Sequence, residues 1–139
     1  MKIYITHCSA KKDDSLRNTG KKVTPDRLYR AKPTQRFMNK CKEKQVEWAI
    51  FSDLYGVWFP NVEHEWYNKD PNEIIIGQII KDPEKYKELV NDFDKKLQGF
   101  DEIWFYHNPG RFHPLYKRLL QETRLKDKVK MFTHIREIV

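Results

Sequence analysis

Lys2-Ile3-Tyr4-Ile5-Thr6-His7-Cys8-Ser9-Ala10-Lys11-Lys12 decides how this chain is read. Residues 2–7 are rich in Ile, Tyr and Thr, the types that pack well on a pleated surface. The apolar run stops abruptly at a thiol and a hydroxyl, and two lysines follow. That is the pattern of a buried strand delivering chemically capable side chains to a sheet edge. Three later segments repeat it. Residues 47–52 (Glu-Trp-Ala-Ile-Phe-Ser) run into Asp53, with Tyr55-Gly56 beyond. Residues 102–106 (Glu-Ile-Trp-Phe-Tyr) run into His107-Asn108-Pro109-Gly110-Arg111. Residues 129–133 form a fourth run, ending beside His134.

Helical patterns separate these runs. Thr34 caps a predicted helix reaching about Gln45, with Phe37, Met38 and Cys41 on one face. Asp82-Pro83 starts a clearer one. Tyr86, Leu89, Val90, Phe93 and Leu97 recur along it at helical spacing, and Gly99 stops it. Pro114 opens a third, with Leu115, Leu119 and Leu120 inward. Asp70-Pro71-Asn72-Glu73 has helix-start chemistry. The β-branched run 74–80 also suits a strand, but the cap favours a short buried helix there. Residues 11–27 read as a long polar loop, of the length that serves as a lid or binding segment. Residues 53–69 read as an irregular stretch dense in aromatics. Strands alternating with helices predict a three-layer α/β/α domain with right-handed crossovers and a mostly parallel sheet of about four strands.

The chain has 139 residues, enough for one domain with one core. Charged residues make up 34% and aromatics 14%, which argues for a folded domain rather than a disordered chain. A net charge of +7 favours anionic partners such as RNA, DNA, nucleotides or phosphorylated metabolites, or else reflects a lysine-rich solvated surface. The two cysteines, Cys8 and Cys41, fall in different contexts. No short-spaced pair suggests a metal site and no secretion signal suggests an oxidising compartment, so a reduced, cytoplasmic protein is expected. No apolar run approaches a membrane span. No cofactor is implied, and the oligomeric state stays open.

In an open parallel sheet, ligands bind outside the carboxyl ends of the strands. Cys8 there is a nucleophile if neighbouring cations or a helix end lower its pKa, or else a small buried hydrophobe. Ser9 contacts a ligand or bonds a backbone group in the turn. Lys11 and Lys12 hold a phosphate or stand in solvent. Asp53 is a general base, a partner for a nucleobase edge, or a turn cap. Tyr55-Gly56 supplies an aromatic wall with close backbone approach, or simply a turn. Tyr29 projects into the same rim or packs. His107, with Asn108 beside it, exchanges protons near neutral pH or is a structural imidazole. His113 reads as the cap of the following helix. Glu63-His64-Glu65 has the wrong spacing for a chelate on a helix face. Trp58, Phe59, Trp66 and Tyr67 stack on bases or form a satellite core under a loop.

The combination of His7-Cys8-Ser9-Ala10-Lys11-Lys12, Leu28-Tyr29-Arg30-Ala31 and Trp48-Ala49-Ile50-Phe51-Ser52-Asp53-Leu54-Tyr55-Gly56 resembles a group of small microbial domains. It is similar to the core domain of the archaeosine synthases, tRNA-modifying enzymes related to the tRNA-guanine transglycosylases. The resemblance covers roughly residues 3–70 by motif and the remainder by element order. It implies a uracil-DNA glycosylase-like α/β fold. The cysteine-lysine motif of that family is linked to addition of lysine to the nitrile of a 7-deazaguanine base. Cys8 and Ser9 match it, and Lys12 falls at its lysine. Asp13-Asp14 follow here where the motif continues with Pro-Tyr, and no RNA-binding domain is appended. Fold therefore carries over better than reaction.

The expectation is a small enzyme, transferase or glycosylase-like, acting on a nucleobase or nucleotide, alone or within RNA, and related to tRNA base modification. The alternative is a non-catalytic nucleic-acid-binding module that uses a basic face and loop aromatics. A third reading is a structural or toxin-antitoxin-like partner protein with no pocket.

Overall fold

Residues 2–7 form β1 (Lys2–His7), the middle strand of a five-stranded sheet. The computed structural model describes residues 1–108 and 110–139. In chain order come β2 (Lys22–Val23), α1 (Pro25–Leu28), α2 (Lys32–Lys44), β3 (Trp48–Ser52), β4 (Gly56–Trp58), β5 (His64–Glu65), β6 (Ile75–Ile76), β7 (Ile79–Ile80), α3 (Pro83–Leu97), β8 (Glu102–Tyr106), α4 (Pro114–Glu122) and β9 (Val129–Phe132). The sheet order is β4-β3-β1-β8-β9. β3, β1, β8 and β9 are mutually parallel, and β4 runs antiparallel to β3 at one edge. The four apolar runs therefore lie side by side and point the same way.

The fifth strand departs from the expected four. β4 has three residues and begins at a glycine, too short to show an alternation. It forms because the turn after Ser52 folds the chain straight back onto β3, pairing Ser52 with Gly56 and Ile50 with Trp58. Gly56 has φ +74°, and a Cβ there would lie 2.1 Å from the Asp92 carboxylate, which accepts the Val57 N–H at 2.7 Å. Close packing of α3 on this edge requires a residue without a side chain.

Register assigns the faces. Tyr4 pairs with Trp48 and Trp104, and Thr6 with Tyr106, so these point one way. The Phe37 ring of α2 stacks on Tyr106 at 5.9 Å on that face. His7 pairs with Phe51 and both point the other way. There Phe93 of α3 and Tyr116 of α4 meet Phe51 edge-on at 5.7 and 5.8 Å. One helix thus covers one face and two cover the other, around a single apolar cluster.

Residues 70–80 do not form the expected helix. Asp70 does cap, accepting the Asn72 N–H at 2.9 Å while Glu73 accepts the Asp70 N–H at 2.8 Å. The turn spans only Pro71–Glu73. Gly77, at φ +59°, then reverses the chain so that Ile75 pairs with Ile80 and Ile76 with Ile79. β-Branched residues lose little in a strand, and a glycine in mid-run offers a tight turn. Residues 11–27 are also more ordered than a plain loop. They contain a 3₁₀ turn, the short β2 that pairs with β5, and the start of α1.

Candidate active site at the carboxyl ends of the parallel strands

A cleft of about 480 Å³ opens beyond the carboxyl ends of β1 and β3. The ladder between these strands runs one residue further than the strand bounds, because the Cys8 N–H donates to the Phe51 carbonyl at 2.8 Å. This holds Cys8 beside Asp53, the first residue after β3. The Cys8 thiol lies 3.5 Å from Asp53 Oδ1 and 3.1 Å from the Tyr116 hydroxyl. Asp53 is 2% exposed yet lines the cleft.

Burial raises the proton affinity of the Asp53 carboxyl. Hydrogen bonding to Cys8 and the nearby Lys12 charge oppose the shift without cancelling it. Burial first, and the Asp53 charge second, push the Cys8 thiol up to about 12. Its neighbour is a carboxylate rather than a cation, so the group is a thiol at neutral pH. The condition on which a nucleophilic Cys8 rested, a lowered pKa, is reversed here.

Behind this pair lies a network of hydroxyls. Tyr29 and Tyr67 share a hydrogen bond of 2.6 Å, and Ser52 donates to Tyr67 at 3.0 Å. Ser52 in turn accepts the backbone N–H groups of Leu54 and Tyr55 at 3.1 and 3.0 Å, which fixes the turn carrying Asp53. Lys12 Nζ sits 4.4 Å from the centre of the Tyr67 ring, a cation–π contact that points the ammonium into the cleft. Tyr29 is fully buried and supports the site from behind.

Other predicted residues are divided between this cleft and its surroundings. Ser9 lines it and accepts from the Thr34 hydroxyl at 3.2 Å. Asn108 lines a smaller adjoining cavity of about 140 Å³, shared with Ser9 and Arg111. Lys11 is exposed and outside the cleft lining; its carbonyl accepts the Arg30 N–H at 3.0 Å. Tyr55 and Gly56 also lie outside it. Tyr55 stacks on His64 at 3.9 Å and donates to the Glu65 carbonyl, while Gly56 accommodates Asp92. His107 lines a different groove. The Phe112 ring stands between the two, 4.6 Å from His107 and 6.3 Å from His7. The rim reading grouped His107 with Cys8 because both follow strands. The two residues line cavities with no lining residue in common.

Tyr116 and His113 belong to the cleft although neither was read as a site residue. His113 Nδ1 accepts the Leu115 N–H at 3.0 Å, as expected of a cap. Nε2 then carries the proton and donates to Asn72 Oδ1 at 2.8 Å. Burial favours this neutral form. The signal for Tyr116 was the Pro114 helix start, which brings the first turn of α4 to the strand ends. Tyr67, expected among the loop aromatics to stack on bases or form a satellite core, is buried against Tyr29 and Ser52, partners distant in sequence.

Comparison with known protein families, curated proteins and solved structures returns no match. No helix among the described residues is long and apolar enough to cross a membrane. The cleft itself offers a carboxyl of raised proton affinity, a thiol and a phenol as hydrogen-bond donors, cations at Lys12, Lys69 and Arg111, and the carboxyl of Asp70. Such a set can exchange a proton with a polar ring edge on the floor and hold an anionic group at the mouth.

Proposed function

We propose that this chain is an enzyme acting on a nucleobase or nucleotide, free or within RNA, with Asp53 as its proton-transferring group. The observation that carries the reading is a buried carboxyl of raised proton affinity at the floor of a cleft lined by Lys12, Lys69 and Arg111. Lys12 holds phosphate or a charged intermediate. The Cys8 thiol and Tyr116 hydroxyl orient the carboxyl and donate to the substrate. Tyr67 and Tyr29 hold Lys12 and the Asp53 turn in place.

A relationship to the archaeosine synthase core, with its uracil-DNA glycosylase-like fold and base-modifying chemistry, is part of the proposal. Cys8, Ser9 and Lys12, the residues that match that motif, line one cleft, and this supports it. A cytoplasmic setting accords with two unpaired, buried cysteines. The alternative, a passive nucleic-acid-binding module, needs aromatics free to stack. Trp58 and Tyr67 are instead buried, at 1% and 5% exposure.

Thermal-shift and calorimetric titration with free nucleobases, nucleoside monophosphates and tRNA tests the reading. At least one class stabilises the wild type. Lys12→Ala weakens the phosphorylated ligands roughly tenfold, the worth of one charge-assisted contact. Asp53→Asn abolishes turnover while the protein stays folded. Binding indifferent to both substitutions, or no binding by any class, would overturn it.

A further inference from the structure

We propose that the groove between α4 and β9 is a second binding site, for a small carboxylic acid with an apolar body. The groove holds about 340 Å³, within the range of small-molecule sites and suited to a single ring or a short chain. Its walls are Phe112, Leu120, Val129 and Met131. Met131 leaves 43% of its surface in solvent, one of few large apolar side chains so exposed.

The charged groups of the groove are of one sign, and Gln121 adds a neutral amide. Lys117 and Lys126 line it, and no carboxylate does. No ion pair among the described residues involves Lys117 or Lys126. The His107 ring lies in the same lining. Two exposed lysines lining an apolar groove that holds no carboxylate form a complement to a carboxylate on an apolar body. The groove is separate from the Cys8–Asp53 cleft, with which it shares no lining residue. The site thus goes beyond the proposed activity and stands without it.

The test is titration of the protein with phenylacetate, followed by amide NMR and by the carbon-bound ring protons of His107. Phenethylamine, with the same ring and opposite charge, is the control. Phenylacetate is expected to shift Leu120, Met131 and His107, and phenethylamine to leave them unmoved. The double variant Lys117→Ala/Lys126→Ala weakens phenylacetate by about five- to tenfold, as two partly exposed ion pairs would. Met131→Asp removes binding by placing a like charge against the carboxylate. Asp53→Asn leaves it unchanged, which separates this site from the cleft. The proposal falls if phenethylamine binds equally well, if the lysine variants bind as the wild type does, or if the shifts appear only around Asp53.

Discussion

At the scale of single residues, burial and the neighbouring Asp53 charge keep Cys8 a thiol, and burial raises the proton affinity of Asp53 against the opposing hydrogen bond from Cys8. Burial disfavours charge on both, and a carboxylate at Asp53 opposes ionisation of the thiol beside it. With the Cys8 pKa near 12, native-state alkylation at pH 8 should run at least about a hundredfold slower than for a free thiol. Asp53→Asn removes the opposing charge and should speed labelling at pH 9, measured by mass spectrometry of the Cys8 peptide. Labelling at equal rates in both proteins would show that access alone controls it. Asp53 also links pH to stability. A carboxyl whose folded pKa is raised contributes a cost absent below the unfolded value. The cost grows as pH rises towards the folded value and is constant above it. Asp53→Asn should therefore stabilise the fold at pH 7, by about 0.5–2 kcal/mol, as relief of a functional strain commonly does. Thermal melts at pH 7 and pH 3 check the sign, since the gain should vanish at the lower pH.

At the scale of elements, two glycines at positive φ play different parts. Gly56 allows β4 to lie against α3, where a Cβ would displace Asp92 from its bond to the Val57 N–H. Gly56→Ala should cost about 2–4 kcal/mol, combining backbone strain with an unsatisfied buried N–H. Gly77 meets nothing within 4 Å. Gly77→Asn should be nearly neutral there, because Asn tolerates the left-handed region at a turn. Urea unfolding of the two variants would separate crowding from conformation; equal losses would mean that φ alone governs both. The same elements show where sequence patterns stop. β1, β3 and β8 are apolar runs that composition suffices to find, while the edge strand β9 has Lys130 and Met131 in solvent. β4 is three residues long and owes its existence to a partner strand. The isoleucines of 74–80 suited helix and strand alike. A capping box decided the first turn correctly, while Gly77, read as part of the run, decided the rest.

At the scale of the molecule, parallel alignment of four strands is what gathers Cys8, Ser9 and Asp53 at one rim. That much was legible, since each follows its strand directly. The third dimension was not. His107 lines a separate groove, Tyr67 reaches the site from a loop, and Tyr116 arrives on a helix. Charge acts at this scale too. The chain carries +7, spread over a surface where most lysines stand in water. Affinity for an anionic ligand will therefore fall with salt whether or not a specific site exists. What distinguishes a site is a residue-specific loss that salt does not erase. Lys12 is held against Tyr67 and lines the cleft, whereas Lys11, next to it in sequence, is exposed and outside the lining. Titration with a nucleoside monophosphate at 50 and 300 mM salt should show the same small loss for Lys11→Ala at low salt and none at high salt. Lys12→Ala should keep a roughly tenfold deficit at both, because a contact inside a cleft is screened less than one in open solvent. Equal behaviour of the two variants would mean that the ligand senses only the overall charge of the protein.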